Sequence, residues 1–73
     1  MEILKISSDP INRIIFLTTN GIEKRLPELI SYACSYNAYY EFNSETSTLY
    51  VEVYSNWALK SLTKEYNNYF FGN

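Results

Sequence analysis

The side chains that commonly carry out covalent chemistry are sparse in this sequence. Cys34 is the single thiol, and a catalytic cysteine normally needs a neighbouring base, most often histidine. The chain contains no histidine, so we interpret Cys34 as a small hydrophobic residue buried at the flank of a helix. A lone cysteine cannot form an intrachain disulfide, and without histidine it cannot complete a zinc site. We therefore predict no metal and no cofactor.

Two pairs of carboxylates are candidates for acid–base catalysis or for binding a cation. Glu41 and Glu52 fall on one face of a predicted hairpin, whereas Glu23 and Glu28 lie near the start of a predicted helix. Close carboxylates can divide acid and base roles or hold a hard cation. No further motif accompanies either pair, so we interpret them as solvated surface charges. Two glycines in the whole chain also exclude the glycine-rich loops that bind nucleotide phosphates. We expect no enzyme.

The elements that must position these residues follow from hydrophobic periodicity and turn signals. Alternating or β-branched runs predict strands, and apolar residues at helical spacing predict two helices. Pro27 is compatible with a helix only in its first turn, where its missing amide would be unpaired anyway. Ser55 or Asn56 can cap the second helix. We predict strands at 2–7, 13–19, 38–43 and 48–54, and helices at about 23–36 and 56–70.

The predicted order ββαββα indicates one small α+β domain spanning residues 1–73. Four antiparallel strands with two helices on one face form a two-layer sandwich. Residues 13–70 alone read βαββα, which is a ferredoxin-like order without its last strand. The strand at 2–7 can take that place by pairing antiparallel with 13–19 through the turn at 8–12. The preferred topology is therefore a permuted ferredoxin-like sheet.

The strand at 13–19 is apolar on both sides, which is typical of a strand covered on both faces. We expect Ile15 and Leu17 to lie on the open face of the sheet, together with Ile3 and three tyrosines, Tyr39, Tyr50 and Tyr54. Monomers rarely expose such a patch unless a partner covers it. Two alternatives stay open, because central strands can be apolar on both sides for local reasons, and a one-residue slip reverses every side chain.

Two aromatic residues, Trp57 and Tyr32, lie off the predicted apolar faces of the helices. Trp57 either packs under the start of its helix against the sheet or stands exposed as a binding anchor. Tyr32 points away from the predicted core, so we expect it to be an ordinary surface residue.

Charge and composition limit the class of partner. The net charge is −2, the pI is about 4.9, and the six basic residues are scattered. Nucleic-acid affinity depends on neutralising phosphates, so this balance disfavours nucleic acid. The N-terminus lacks the features of a signal peptide, and no apolar run is long enough to span a membrane. A free thiol suits a reducing compartment, and we expect a cytoplasmic protein.

These observations favour a small non-catalytic protein-binding module that acts as a regulator, accessory subunit or inhibitor. Abundant residues with AT-rich codons, together with the missing catalytic groups, suit a phage- or mobile-element-encoded inhibitor. One alternative is a homodimeric structural domain whose sheet faces pack together, and another is single-strand nucleic-acid binding by tyrosine stacking. The residues predicted to contact a partner are Ile15, Leu17, Tyr39, Tyr50, Tyr54 and Trp57.

Overall fold

A computed structural model describes residues 5–18 and 21–72 of the chain. The elements follow the predicted order, with a short 3₁₀ turn at Ile22–Arg25 before the first helix. The predicted strand at 2–7 is only partly covered, because residues 1–4, and Ile3 with them, lie outside the described residues. The strands are β1 (Lys5–Asp9), β2 (Ile14–Thr18), β3 (Tyr39–Asn43) and β4 (Thr48–Glu52), and the helices are α1 (Leu26–Ser35) and α2 (Asn56–Phe71).

The four described strands form one antiparallel sheet in the order β1-β2-β4-β3. The central strands are β2 and β4, and β1 pairs with the outer side of β2. That is the place the missing last strand of a ferredoxin-like sheet would occupy, as the order of elements predicted. The α+β two-layer prediction is confirmed.

Both hairpins are closed by the same turn chemistry. A side-chain oxygen of Asp9, at the end of β1, accepts the backbone amides two and three residues later at 3.0 and 3.2 Å. Asn43, at the end of β3, accepts the corresponding amides at 2.9 and 3.3 Å. Each loop closes on a residue with positive φ, Arg13 at 56° and Ser47 at 50°. These turns fix the register, and hence which side chains face the helices.

Both helices begin as their sequences indicate. Pro27 lies in the first turn of α1, where it removes no helical hydrogen bond. The hydroxyl oxygen of Ser55 accepts the amide of Ala58 at 3.1 Å and caps α2. Gly72, at a φ of 73°, ends α2 in the left-handed conformation that glycine adopts without steric cost.

The hydrophobic core lies between the sheet and the helices. Ile15 and Leu17 of β2 are fully buried there, so their predicted position on the open face is wrong. The physical reason is register: Ile15 pairs with Val51 and Leu17 with Leu49, and all four point at the helices. A strand that is apolar on both sides does not reveal which side the helices cover. The other core residues are Ile22, Leu29, Ala33, Val53, Ala58, Leu59, Leu62 and Tyr66.

Aromatic rings join the two helices. The hydroxyl of Tyr66 donates to the carbonyl of Leu29 at 2.7 Å inside the core. Tyr32 packs edge-on against Tyr66 and Tyr69, with ring centroids 5.9 and 5.8 Å apart. The surface position expected for Tyr32 is therefore wrong, because these rings draw it half into the interior. Cys34 is exposed rather than buried, since its helical position turns it away from the sheet.

Candidate functional site

The side of the sheet opposite the helices carries every second residue of each strand. Cross-strand pairing sorts them into three rows across the four strands. In the middle row Ser7, Phe16, Tyr50 and Glu41 lie side by side. We call this surface the open face, and its members are Lys5, Ser7, Asp9, Ile14, Phe16, Thr18, Tyr39, Glu41, Asn43, Thr48, Tyr50 and Glu52.

Three aromatic rings run diagonally over the open face, from Phe16 and Tyr50 in its middle row to Tyr39 at the edge strand β3. Phe16 and Tyr50 meet edge to face with centroids 5.7 Å apart, and Tyr50 and Tyr39 do so at 6.3 Å. Edge-to-face contacts of this kind stabilise a fixed ring arrangement. Tyr39 is 47% exposed, while Phe16 and Tyr50 are half-buried by their neighbours alone. We call Phe16, Tyr50 and Tyr39 the aromatic row.

Two glutamates interleave with the aromatic row. The Tyr39 hydroxyl donates to Glu41 Oε1 at 2.5 Å, and the Tyr50 hydroxyl donates to Glu52 Oε1 at 2.9 Å. Across the strands the partners alternate, so that Glu41 lies opposite Tyr50 and Glu52 opposite Tyr39. The two carboxylates are therefore diagonal neighbours, with Cα atoms roughly 7–8 Å apart. Tyr39, Glu41, Tyr50 and Glu52 therefore alternate, tyrosine next to glutamate, at one corner of the open face.

The phenols in this patch stay protonated well into the alkaline range. The hydrogen bond to Glu41 raises the pKa of Tyr39, with smaller contributions from burial and nearby carboxylates. Tyr50 behaves likewise, because its hydrogen bond to Glu52 raises its pKa. Each hydroxyl is thus a neutral donor that holds its carboxylate in place. Further lone pairs on each carboxylate can accept from another donor.

Further carboxylates extend the negative character of this side. Asp9 lies on the open face at the end of β1, and hydrogen bonding from the Asn12 side chain lowers its pKa. Glu45 lines an open depression of about 690 Å³ beside the β3–β4 loop. Phe16, Glu41 and Tyr50 line the same depression, so the aromatic row continues into a concave surface.

The structure brings together only some of the predicted contact residues. Tyr39 and Tyr50 are adjacent on the open face, as expected. Ile15 and Leu17 belong to the core and cannot reach a partner. Tyr54 follows the end of β4 and is 67% exposed. Phe16 takes part in the site in place of Ile15 and Leu17. Because Phe16 and Ile15 are adjacent in a strand, the sequence indicated that one of them would lie on the open face, but not which one.

Trp57 lies in the helix layer rather than on the open face. It is 70% exposed at the start of α2, and its ring lies 5.8 Å from that of Tyr36. Tyr36 in turn donates its hydroxyl to Glu65, and that hydrogen bond raises the pKa of Tyr36. Of the two alternatives for Trp57, the exposed position is the one observed.

A fourth tyrosine–glutamate pair lies between the helices and already has a cationic neighbour. The Tyr69 hydroxyl donates to Glu28, which raises the pKa of Tyr69. The Arg25 guanidinium lies 6.0 Å from the Tyr69 ring centroid and 5.6 Å from that of Phe70. Here one arginine, one carboxylate and two aromatic rings form a compact cluster.

Other kinds of site find little support in the part of the chain that is described. Among residues 5–18 and 21–72, no three His, Cys, Asp or Glu side chains are grouped to hold a metal ion. Over the same residues, no helix has the length and hydropathy needed to cross a membrane. Comparison with known proteins adds no assignment, since no family model, curated protein or solved structure matches the chain.

Proposed function

We propose that this protein is a small binding module that contacts another protein through the open face. It acts by stoichiometric occupation of a surface on that partner, as a regulator, accessory subunit or inhibitor. The observation that carries the proposal is the aromatic row, which runs from the centre of the open face to the edge strand β3, on the side of the sheet that neither helix covers.

The composition of the open face supports this function. Tyrosine is enriched at the centres of protein interfaces, because a large ring with few rotatable bonds loses little entropy on contact. Edge-to-face packing already orders the rings of Tyr39 and Tyr50 in the free protein, and this further reduces the entropy lost on binding. The hydroxyl–carboxylate bonds likewise fix the polar groups beside them.

The size of the open face limits what can bind. Four strands of five residues span roughly 300 Å² at usual strand spacing and rise, whereas a stable globular interface buries about 800 Å² on each partner. The open face is therefore large enough for a short segment of a partner. A globular partner would have to reach beyond it, over the β3–β4 loop and the adjoining depression.

The test is a quantitative pull-down from a lysate of the source organism. The bait variants are wild type, a Tyr39→Ser/Tyr50→Ser double variant, and Phe71→Ser as the control. Phe71 is an exposed aromatic residue at the far end of α2, so this variant removes an exposed ring without touching the open face. Circular dichroism of each variant establishes that the fold is retained.

We expect a partner recovered in stoichiometric amount by wild type and Phe71→Ser, and lost by the double tyrosine variant. A partner retained equally by all three baits would contradict the proposal. Recovery of the protein's own second copy alone would instead favour the homodimer.

A further inference from the structure

We propose that the segment bound by the open face is basic and contacts it through arginine side chains. This inference rests on the proposed function and adds the chemistry of the partner. The contact point is the corner where Tyr39, Glu41, Tyr50 and Glu52 alternate.

Charge is distributed unevenly between the two layers. The sheet side carries Asp9, Glu41, Glu45 and Glu52, with Lys5 in the opposite corner and Arg13 in the β1–β2 loop. Four of the six basic residues lie instead in the helix layer, namely Lys24, Arg25, Lys60 and Lys64. A partner that approaches the corner of the open face formed by Tyr39, Glu41, Tyr50 and Glu52 therefore meets a negative surface. Complementary charge both steers and orients such encounters.

The local geometry favours arginine over a simple cation. A guanidinium is planar, donates several hydrogen bonds in one plane, and stacks on aromatic rings. Glu41 and Glu52 each hold one oxygen against a tyrosine hydroxyl, and each carboxylate has further lone pairs that can accept from another donor. An arginine placed there can bind a carboxylate and a ring at once.

The protein already contains an arginine beside a tyrosine–glutamate pair. Between the helices, Arg25 lies near the Tyr69 ring while the Tyr69 hydroxyl donates to Glu28. The open face has two more tyrosine–glutamate pairs, Tyr39–Glu41 and Tyr50–Glu52. We infer that an arginine of the partner lies beside these pairs as Arg25 lies beside the Tyr69 ring.

A second copy of the same face is a poor occupant. In a two-fold symmetric contact the same surface meets itself, so two open faces, each carrying Asp9, Glu41 and Glu52 against Lys5, would bring together surfaces with the same sign of net charge. Like charges brought together in an interface oppose association. A basic segment has no such penalty.

The experiment is an NMR titration of the isotope-labelled full chain with a hexa-arginine peptide, and in parallel with hexa-lysine. We expect hexa-arginine to shift the amide signals of β2, β3 and β4 and the ring signals of Tyr39 and Tyr50. Hexa-lysine carries the same charge without a planar donor group, so it should bind more weakly. Equal affinity for the two peptides, or shifts confined to the helices, would overturn the inference.

Two double variants separate a specific contact from general attraction to an acidic protein. Glu41→Gln/Glu52→Gln should weaken hexa-arginine binding by at least about tenfold, since loss of even one hydrogen bond to a charged group costs about that factor. Glu23→Gln/Glu65→Gln removes the same charge from the helix layer, where Glu65 also accepts from a tyrosine, and should leave the affinity within about twofold of wild type. An equal loss in both variants would contradict the proposed contact.

The same glutamate variants also separate this inference from the proposed function. In the pull-down, loss of the partner from both the Tyr39→Ser/Tyr50→Ser and the Glu41→Gln/Glu52→Gln baits supports a basic occupant. Loss from the tyrosine bait alone, with no binding of hexa-arginine, leaves the binding function standing and overturns the basic occupant. Retention by both baits counts against the function itself.

Discussion

Tyr66 shows how single residues in this small protein combine packing with hydrogen bonding. Its ring is the largest fully buried side chain, and its hydroxyl reaches the carbonyl of Leu29 on the facing helix. A buried phenol without a partner would oppose folding. The bond to Leu29 therefore fixes how α2 lies against α1.

The Tyr66→Phe variant tests this bond. Removing the hydroxyl while keeping the ring should lower the free energy of unfolding by about 1 kcal/mol, the usual net value of a neutral hydrogen bond. Urea denaturation followed by circular dichroism measures the change. Tyr40→Phe, which removes a hydroxyl from an exposed ring, is the control and should leave the midpoint unchanged. Equal midpoints for the two variants would count against a stabilising role.

Burial also gives Tyr66 a distinctive pH dependence. Its pKa is raised chiefly because the phenolate would be desolvated in the core. A raised folded-state pKa means that this contribution to stability is complete below the unfolded-state pKa of about 10 and declines as pH rises above it. The urea concentration at the unfolding midpoint should therefore decrease as the pH is raised from about 9.5 to 11.5. The decrease should be less steep in Tyr66→Phe. Parallel slopes for the two proteins would be the contrary result.

At the scale of elements, the two hairpin loops explain the register of the sheet. Asp9 and Asn43 were readable as turn formers, because Asp and Asn bond to the backbone just ahead of them. The positive φ of Arg13 and Ser47 was not readable, since neither residue type favours that conformation. The sequence thus located both turns but not their shape, and the shape decides which face each strand residue takes.

Ser47→Gly tests the strain in the β3–β4 loop. Glycine adopts a φ of about +50° without the steric cost borne by other residues, so the variant should gain about 1 kcal/mol in the free energy of unfolding. Ser44→Gly makes the same substitution in the same loop at a residue without positive φ. It should be neutral or destabilising, because it only adds freedom to the unfolded chain. Thermal denaturation distinguishes the two, and a loss of stability in both would contradict this account.

The helices were predicted more fully than the sheet faces. Pro27 limited where the first helix could start, and Ser55, one of two candidate caps, supplies the capping oxygen of the second helix. Leu59, Leu62 and Tyr66 followed helical spacing into the core. Tyr32 was misplaced because aromatic residues of the other helix, not its own spacing, determine its burial.

At the scale of the whole molecule, the chain consists of two ββα halves. The sheet order β1-β2-β4-β3 is unchanged when the first and second halves are exchanged, and both hairpins have the same loop length and Asx turn. The sequence did not indicate this relation, because corresponding positions in the two halves carry similar but not identical residue types. Ile15 corresponds to Leu49, and Phe16 corresponds to Tyr50. The corner of the open face that carries Tyr39, Glu41, Tyr50 and Glu52 belongs to the second half alone.

Self-association should be weak because of that corner. We expect light scattering over a concentration series to give the mass of a monomer, 8.6 kDa. The Glu41→Gln/Glu52→Gln variant, which removes the facing negative charges, should associate more readily, whereas Glu23→Gln/Glu65→Gln should not. A stable wild-type dimer would mean that a second copy covers the open face, against the charge argument.

The most direct measurement is site-specific photo-crosslinking in cells, with a benzophenone amino acid at one of two positions. Ser7 lies on the open face beside Phe16 without belonging to the aromatic row, and Lys60 is exposed on α2. We expect a crosslink to a different protein from position 7, abolished by Tyr39→Ser/Tyr50→Ser, and none to that protein from position 60. Crosslinks from position 60 alone, or from position 7 only to a second copy of the chain, would contradict this expectation.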